Sequence, residues 1–464
     1  MATNQYVLTC PISVWQFDAS YQDQRFIVEF EDNRRVMVSA RMLDLIKLLE
    51  STHNTRQVAE QLSIRWGQRV SPTQVCNLIE SVLVPLGLAR PLSPTVSIIT
   101  SRRSMDPLGH SFKLPLIPAH IVRHITPFLE PLYSWPVAIV GLLAVFLSRF
   151  IIYSRPIHLS NLGMEPAQYV YVFLLVLITV IAHEFGHATA ISRWKGDPGD
   201  IGFTLYLFYP ALYTDTSSSW KFDRWRRAAV DAGGAYFQLL CSLPIALIYL
   251  TTDNFEAFLT CVSIDSLLFF SLNPFFKFDG YWIISDIIGV PNLHANSVRH
   301  VLRVLRRSTS RKLDEPRTDE LTRWSAAILL GYGGSLLLFI AILIYLTFTS
   351  GIDWVIQYPN LARDTYRRLA QISNEGIVTV TGITLQFVYR SLAVVGLIVF
   401  WSRLIKSVWK FLRRWPPINR PGESIKLGQL LEGLSEKTRH WTLSSKRGGN
   451  HYAVQSKHDG TAML

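Results

Sequence analysis

Cysteine is scarce in this 464-residue chain: Cys10, Cys76, Cys241 and Cys261 are the only four, and none forms a C-x-x-C pair. That spacing excludes a disulfide framework and a thiolate metal site. Charge is thin too, at 17% of residues, while hydrophobic residues make up 49%. With a mean hydropathy of +0.21, the chain is too apolar for an ordinary soluble protein of its length and reads as an integral membrane protein. Acidic residues are the minority, 34 against 46 Lys plus Arg, leaving a net charge of +12. In a membrane protein that surplus is first explained by cytoplasmic loops and tails, so no nucleic-acid partner is expected. The first thirty residues lack the basic, apolar and small-residue series of a signal peptide, which keeps the expected N-terminus on the side where it is made. No internal repeat is visible, and ionisable residues do not step through several spans, which disfavours a transporter.

What is present divides into three parts. Residues 1–125 have soluble character. Within them 25–30 and 35–38, flanking Glu31-Asp32-Asn33, predict a hairpin. Three helical stripes follow: Leu43, Ile46 and Leu49; Val58, Ala59 and Leu62; and Val75, Ile79 and Leu83, with Thr55 and Ser71 as expected N-caps. Two strands and three short helices predict a small winged-helix-like α+β domain at about 20–90, joined by a Pro-rich linker from about Arg90 to Pro127. Residues 126–402 predict a mainly α, polytopic membrane helical bundle of about six spans, near 134–153, 167–190, 228–250, 257–273, 326–348 and 379–401. Residues 403–464 form a basic tail, with Trp401, Trp409 and Trp415 around its start as interfacial anchors. An even number of spans puts both termini on one side. The Arg-rich segment 284–325 and the tail assign that side to the cytoplasm, whereas 251–256 carries no Lys or Arg. Residues 349–378 are expected as a loop, although three Arg fall in it. Residues 201–213 are apolar and aromatic but too short to cross, and predict a re-entrant or edge-strand element.

Chemistry concentrates in His183-Glu184-Phe185-Gly186-His187, near the end of the second span. On a helix the i, i+4 spacing puts both imidazoles on one face, the geometry that grips a single Zn²⁺, with Glu184 beside them as general base. A catalytic zinc takes three protein ligands and keeps one position open. The candidates for the third ligand are Asp279 and Asp265. Asp265 sits in mid-span, where a carboxylate is costly and usually functional. Asp279 follows the break that Pro274 makes after span four, and spans two and four run in the same direction, so their ends emerge on one face. His183 lies about 24 Å along its span, which lets the two motifs meet near the cytoplasmic third of the membrane. Topology makes Asp279 the better candidate, while ligand chemistry alone leaves Asp265 open. Asp215, in Tyr213-Thr214-Asp215-Thr216-Ser217, is a further polar candidate that also reads as a turn residue.

The pairing of His183-Glu184-Phe185-Gly186-His187 with Asn273-Pro274-Phe275-Phe276-Lys277-Phe278-Asp279-Gly280 resembles the site-2 protease family of intramembrane zinc metalloproteases. The resemblance covers roughly residues 130–400. It implies one Zn²⁺ held by His183, His187 and Asp279, Glu184 as general base, and Asn273 as a polar group near the substrate or oxyanion. Asp231-Ala232-Gly233-Gly234-Ala235-Tyr236-Phe237-Gln238 is similar to a family segment packed near the site, with Gly234 where Pro is common and Gln238 in place of a more usual Asn. The longer match through Tyr281-Trp282 and Ser285-Asp286 looks most like a bacterial peptide zinc metalloprotease branch. Residues 20–90, around Thr55, Val70-Ser71 and Leu86-Gly87-Leu88, resemble a PqqD-like domain that recognises leader peptides of ribosomally made, modified peptides. Nine Lys plus Arg against eight Asp plus Glu over 20–90 give a net of +1, not the basic face that DNA binding needs. The expected activity is zinc-dependent hydrolysis of a peptide bond in a membrane-associated or peptide-precursor substrate. The expected setting is a bacterial plasma membrane, with peptide-modifying enzymes or an exporter as partners. The alternative is a non-proteolytic accessory of a peptide exporter, or a metal carrier.

Overall fold

The computed structural model describes residues 6–8, 11–19, 24–30, 35–52, 54–84, 89–91, 113–156, 165–206, 209–309, 323–371, 376–414 and 461–463. Most of the linker and of the tail lies outside them, as do Leu86-Gly87-Leu88 and the turn at Glu31-Asp32-Asn33. Two compact units emerge: one holds residues 1–107, 288–333 and 414–456, the other 108–287, 334–413 and 457–464.

In the first unit, β1 (Tyr6–Leu8) pairs with β5 (Ala89–Pro91), and β2 (Pro11–Phe17), β3 (Arg25–Phe30) and β4 (Arg35–Ser39) form an antiparallel sheet in that order. The predicted hairpin is the β3–β4 pair, with Phe26 opposite Val38 and Val28 opposite Val36. The sequence reading did not include β2, which closes the free edge of β3. Helices α1 (Ala40–Ser51), α2 (Thr55–Trp66) and α3 (Pro72–Leu78) follow, and all three expected stripes are buried in one core with Val28, Val36 and Val38. Ser71 caps α3 in a reciprocal box with Gln74, with Pro72 at the first helical position. The cap of α2 is Asn54 rather than Thr55: Asn54 Oδ1 accepts from Arg56 N at 3.0 Å, and Thr55 is the first helical residue. Asn54 is the better cap because its carbonyl reaches the second helical N–H from an extended backbone. This unit also contains α11 (Leu293–Thr309).

The second unit begins inside the stretch expected as linker. There β6 (Lys113–Ile117) and α4 (Ala119–Leu129) precede α5 (Trp135–Ser154) and α6 (Pro166–Arg193). Next come β7 (Ile201–Tyr206) and β8 (Tyr209–Thr214): the expected re-entrant or edge-strand element at 201–213 is corrected to a hairpin of two interior strands, because β6 and β9 (Thr461–Met463) pair along its outer sides. Its sheet runs β6-β7-β8-β9, all antiparallel. Helices α7 (Arg224–Cys241), α8 (Leu243–Thr252), α9 (Phe255–Ser271) and α10 (Asp279–Ile288) follow. The long α12 (Arg323–Gln371), whose residues from Gly334 on belong to this unit, and α13 (Ile377–Arg414) follow.

Among the described residues five helices are long and apolar enough to cross a membrane: α5, α6, the α7–α8 run, α12 and α13. Their outward faces carry Val140, Phe146, Leu338 and Tyr389, all more than half exposed. Apolar exposure of this kind suits helices facing hydrocarbon rather than water. The stretch expected as a span at 257–273 is α9, a 17-residue helix about 25 Å long by helix rise. The expected loop at 349–378 is corrected: α12 stays helical to Gln371. Hydropathy ends there, but backbone hydrogen bonding does not require an apolar surface. Helices α6 and α7 approach closely, since a Cβ on Gly186 would collide with the Gly233 carbonyl.

Candidate metal centre

Near the C-terminal end of α6, His183 and His187 share a face, as the i, i+4 spacing requires, and both side chains are fully buried. Asp279 opens α10 just past the break at Asn273-Pro274, where Phe275 N donates to Asn273 Oδ1 at 2.9 Å. Gly280 lets this turn close, because a Cβ there would strike the Leu272 backbone. The turn brings Asp279 Oδ2 to 3.0 Å from His183 Nε2 and Asp279 Oδ1 to 3.8 Å from His187 Nε2; the two Nε2 atoms lie 3.0 Å apart. His183, His187 and Asp279 thus form a buried group that can hold a metal ion.

Four observations support that fit. Three donors bonded to one tetrahedral ion at about 2.0–2.2 Å stand about 3.3–3.6 Å from each other, a spacing that the observed 3.0–3.8 Å brackets. Each imidazole has its Nδ1 committed elsewhere: His187 to the Val230 carbonyl at 2.8 Å, His183 to Gln238 Oε1 at 3.1 Å. Both partners accept, so Nδ1 is each ring's donor, and a neutral ring held this way would turn its Nε2 lone pair to a metal beside the Asp279 carboxylate. Asp279 Oδ1 is buried with no hydrogen-bond partner among the described residues, while Ser271 Oγ donates to Oδ2 at 2.8 Å. Gly234, on α7, leaves the space: a Cβ there would run into Nε2 of both histidines.

Glu184 is fully buried, with Thr214 Oγ1 at 2.7 Å from Oε2 and 3.0 Å from its main-chain oxygen. Its Oε1 is buried and has no hydrogen-bond partner among the described residues. The sequence reading missed Thr214, and the neighbouring Asp215 proves to be a turn residue. Asp215 Oδ1 accepts from Ser217 N at 3.0 Å and from the Ser217 hydroxyl, and its main chain bonds Asp200 and Gly199. Asp265 is not in the metal group; it takes Arg149 Nε at 2.8–3.0 Å and the Tyr153 hydroxyl at 2.6 Å, and Arg149 Nη2 bonds Ser242 Oγ at 2.8 Å. This pair settles how a carboxylate tolerates mid-helix burial. Asn273 makes no hydrogen bond to His183, Glu184, His187 or Asp279 among the described residues; its Oδ1 serves its own turn. Gln238, to which the sequence reading gave no role, orients His183 and is itself set by Thr179 at 3.5 Å. No family model, curated protein or solved structure matches the chain.

Proposed function

We propose that the chain is a zinc-dependent intramembrane endopeptidase, of the site-2 protease type that its two motifs resemble. The observation that carries the reading is the buried His183, His187 and Asp279 group adjoining a glutamate whose Oε1 is unpartnered. Two neutral imidazoles and one carboxylate are the donor set of a catalytic zinc. A zinc ion bound there supplies Lewis acidity, acidifying a water towards ~pH 7 and drawing charge from the scissile carbonyl.

The protein's own residues do the remaining work. Glu184 Oε1 takes the proton as the water oxygen bonds to the carbonyl carbon. As the C–N bond breaks, Glu184 returns that proton to the departing amine. Asn273, by the resemblance, lends a donor to the oxyanion, and its Nδ2 has no partner among the described residues. A peptide is held extended at the site, because a helical peptide bond is shielded from attack; of the β7–β8 hairpin, Leu205–Tyr206 and Tyr209–Ala211 have no outer strand partner among the described residues. We assign the substrate to membrane-associated polypeptides or precursors of ribosomally made peptides, with residues 20–90 recruiting the leader. Both termini face the cytoplasm of a bacterial plasma membrane in this reading.

The test is Glu184→Gln. The variant retains its metal, while cleavage falls by about 10²–10⁴-fold, read by mass spectrometry of small peptides in cells carrying either form. Undiminished cleavage overturns the catalytic assignment.

A further inference from the structure

We infer that Thr214 is a positioning residue for the base, fixing Glu184 from the sheet so that one carboxylate oxygen stays free for the reacting water. This inference rests on the peptidase reading above. Thr214 is the last residue of β8, fully buried, and opposite Ile201 in β7. One hydroxyl proton serves two acceptors there, Glu184 Oε2 at 2.7 Å and the Glu184 main-chain oxygen at 3.0 Å. The same group therefore grips both the side chain and the helix that carries it, which restricts rotation of the carboxylate about its own stem. With Oε2 held, Oε1 is the oxygen that remains unpartnered.

Thr214 is itself fixed from both directions. Behind it the β7–β8 ladder continues to Tyr206 opposite Tyr209. Ahead of it Asp215 N donates to the Asp200 carbonyl at 2.9 Å and Gly199 N to the Asp215 carbonyl at 3.2 Å. Thr214 turns its hydroxyl to the helix bearing the base, while Asp215, just past the strand, accepts from Ser217 N and builds the turn. The hairpin thus sets the base.

The test uses the purified full-length protein in detergent, with Thr214→Val, which keeps shape and removes the hydroxyl, and Thr214→Ser, which keeps the hydroxyl. Fluorescein-labelled casein is the activity probe, and the visible spectrum of the Co²⁺-loaded protein is the readout independent of turnover. Thr214→Val is expected to keep its metal and its KM within about twofold while kcat falls about 10–100-fold, with Thr214→Ser restoring most of the loss. Its Co²⁺ spectrum should move in the direction that Glu184→Gln moves it. A wild-type kcat in Thr214→Val overturns the inference, as does a Thr214→Ser variant equally impaired, which would assign the effect to packing. If wild type and Glu184→Gln treat casein alike, the peptidase reading fails. Thr214 is then judged by the spectrum alone, and an unshifted Thr214→Val refutes it.

Discussion

Replacing Gly234 by alanine adds one methyl group at the point where the imidazoles of His183 and His187 converge. The new Cβ meets His183 Nε2 and His187 Nε2 inside any separation that real Cβ atoms adopt. Restoring ordinary contact requires each ring to withdraw by about 1 Å. Without metal that withdrawal is affordable, because a ring can tilt away from its Nδ1 partner, and overpacking of this size costs about 1–3 kcal/mol. With metal it is not, because ligand distances tolerate only about ±0.2 Å. The penalty therefore falls on the loaded state, and metal affinity is expected to drop about 100-fold, the upper end for damage next to a ligand. The assay is competition for Zn²⁺ against a chelating indicator in detergent, paired with thermal unfolding of the metal-free protein. Gly334→Ala is the control, since a Cβ there meets nothing within 4 Å. Wild-type metal affinity in Gly234→Ala would refute the reasoning, because it would mean that the imidazoles do not converge over this glycine.

Asp279→Ala should weaken metal binding by two orders of magnitude or more, and it should cost about 1–3 kcal/mol of stability by stranding Ser271. Asp265→Asn should leave metal affinity unchanged, and the reverse result in the same titration would move the third ligand to Asp265. The Arg149–Asp265 pair, with side chains 11% and 25% exposed, should cost about 3 kcal/mol when Asp265→Leu removes one partner. Arg149→Met together with Asp265→Leu should recover most of that loss in thermal unfolding, and simple additivity of the two losses would show that the charges do not interact.

The parts legible in the sequence are those whose information is local. The i, i+4 histidines, the stripes of α1 to α3 and the Ser71 box depend on residues within one or two turns, and each lies where the periodicity put it. Strand β2 was not legible, because Pro11–Phe17 is defined by its partner β3 more than by its own pattern. Polarity predicts a loop through Asp353, Arg363 and Arg367, yet α12 continues there, because a helix needs only its i→i−4 ladder. Thr214 was invisible for a different reason. Its contact with Glu184 spans 30 residues and depends on where the β7–β8 hairpin ends against α6. Asp215 attracted notice because it carries charge, whereas the neutral hydroxyl beside it makes the contact.

The residues that can hold a metal belong to α6 and α10, but α7 decides where they stand. Arg227, Val230, Gly234 and Gln238 follow one another at i, i+3, i+7 and i+11, within about a quarter of a helix circumference, and all four are buried. Each meets a different requirement of the centre. Val230 offers its carbonyl to His187, Gln238 its amide oxygen to His183, and Gly234 the absence of a side chain where the two Nε2 atoms meet. Arg227 reaches in the other direction, pairing Nε with Asp286 Oδ1 at 2.9 Å, and so ties down the helix that Asp279 opens. A stripe that is polar and small where a soluble helix would be apolar is what a membrane helix presents to a built site, since lipid satisfies its apolar face and the protein must satisfy the other. The segment around Gly233 and Gly234 therefore explains why the histidines converge on one point instead of merely sharing a face, and i, i+4 spacing alone could not have guaranteed that convergence.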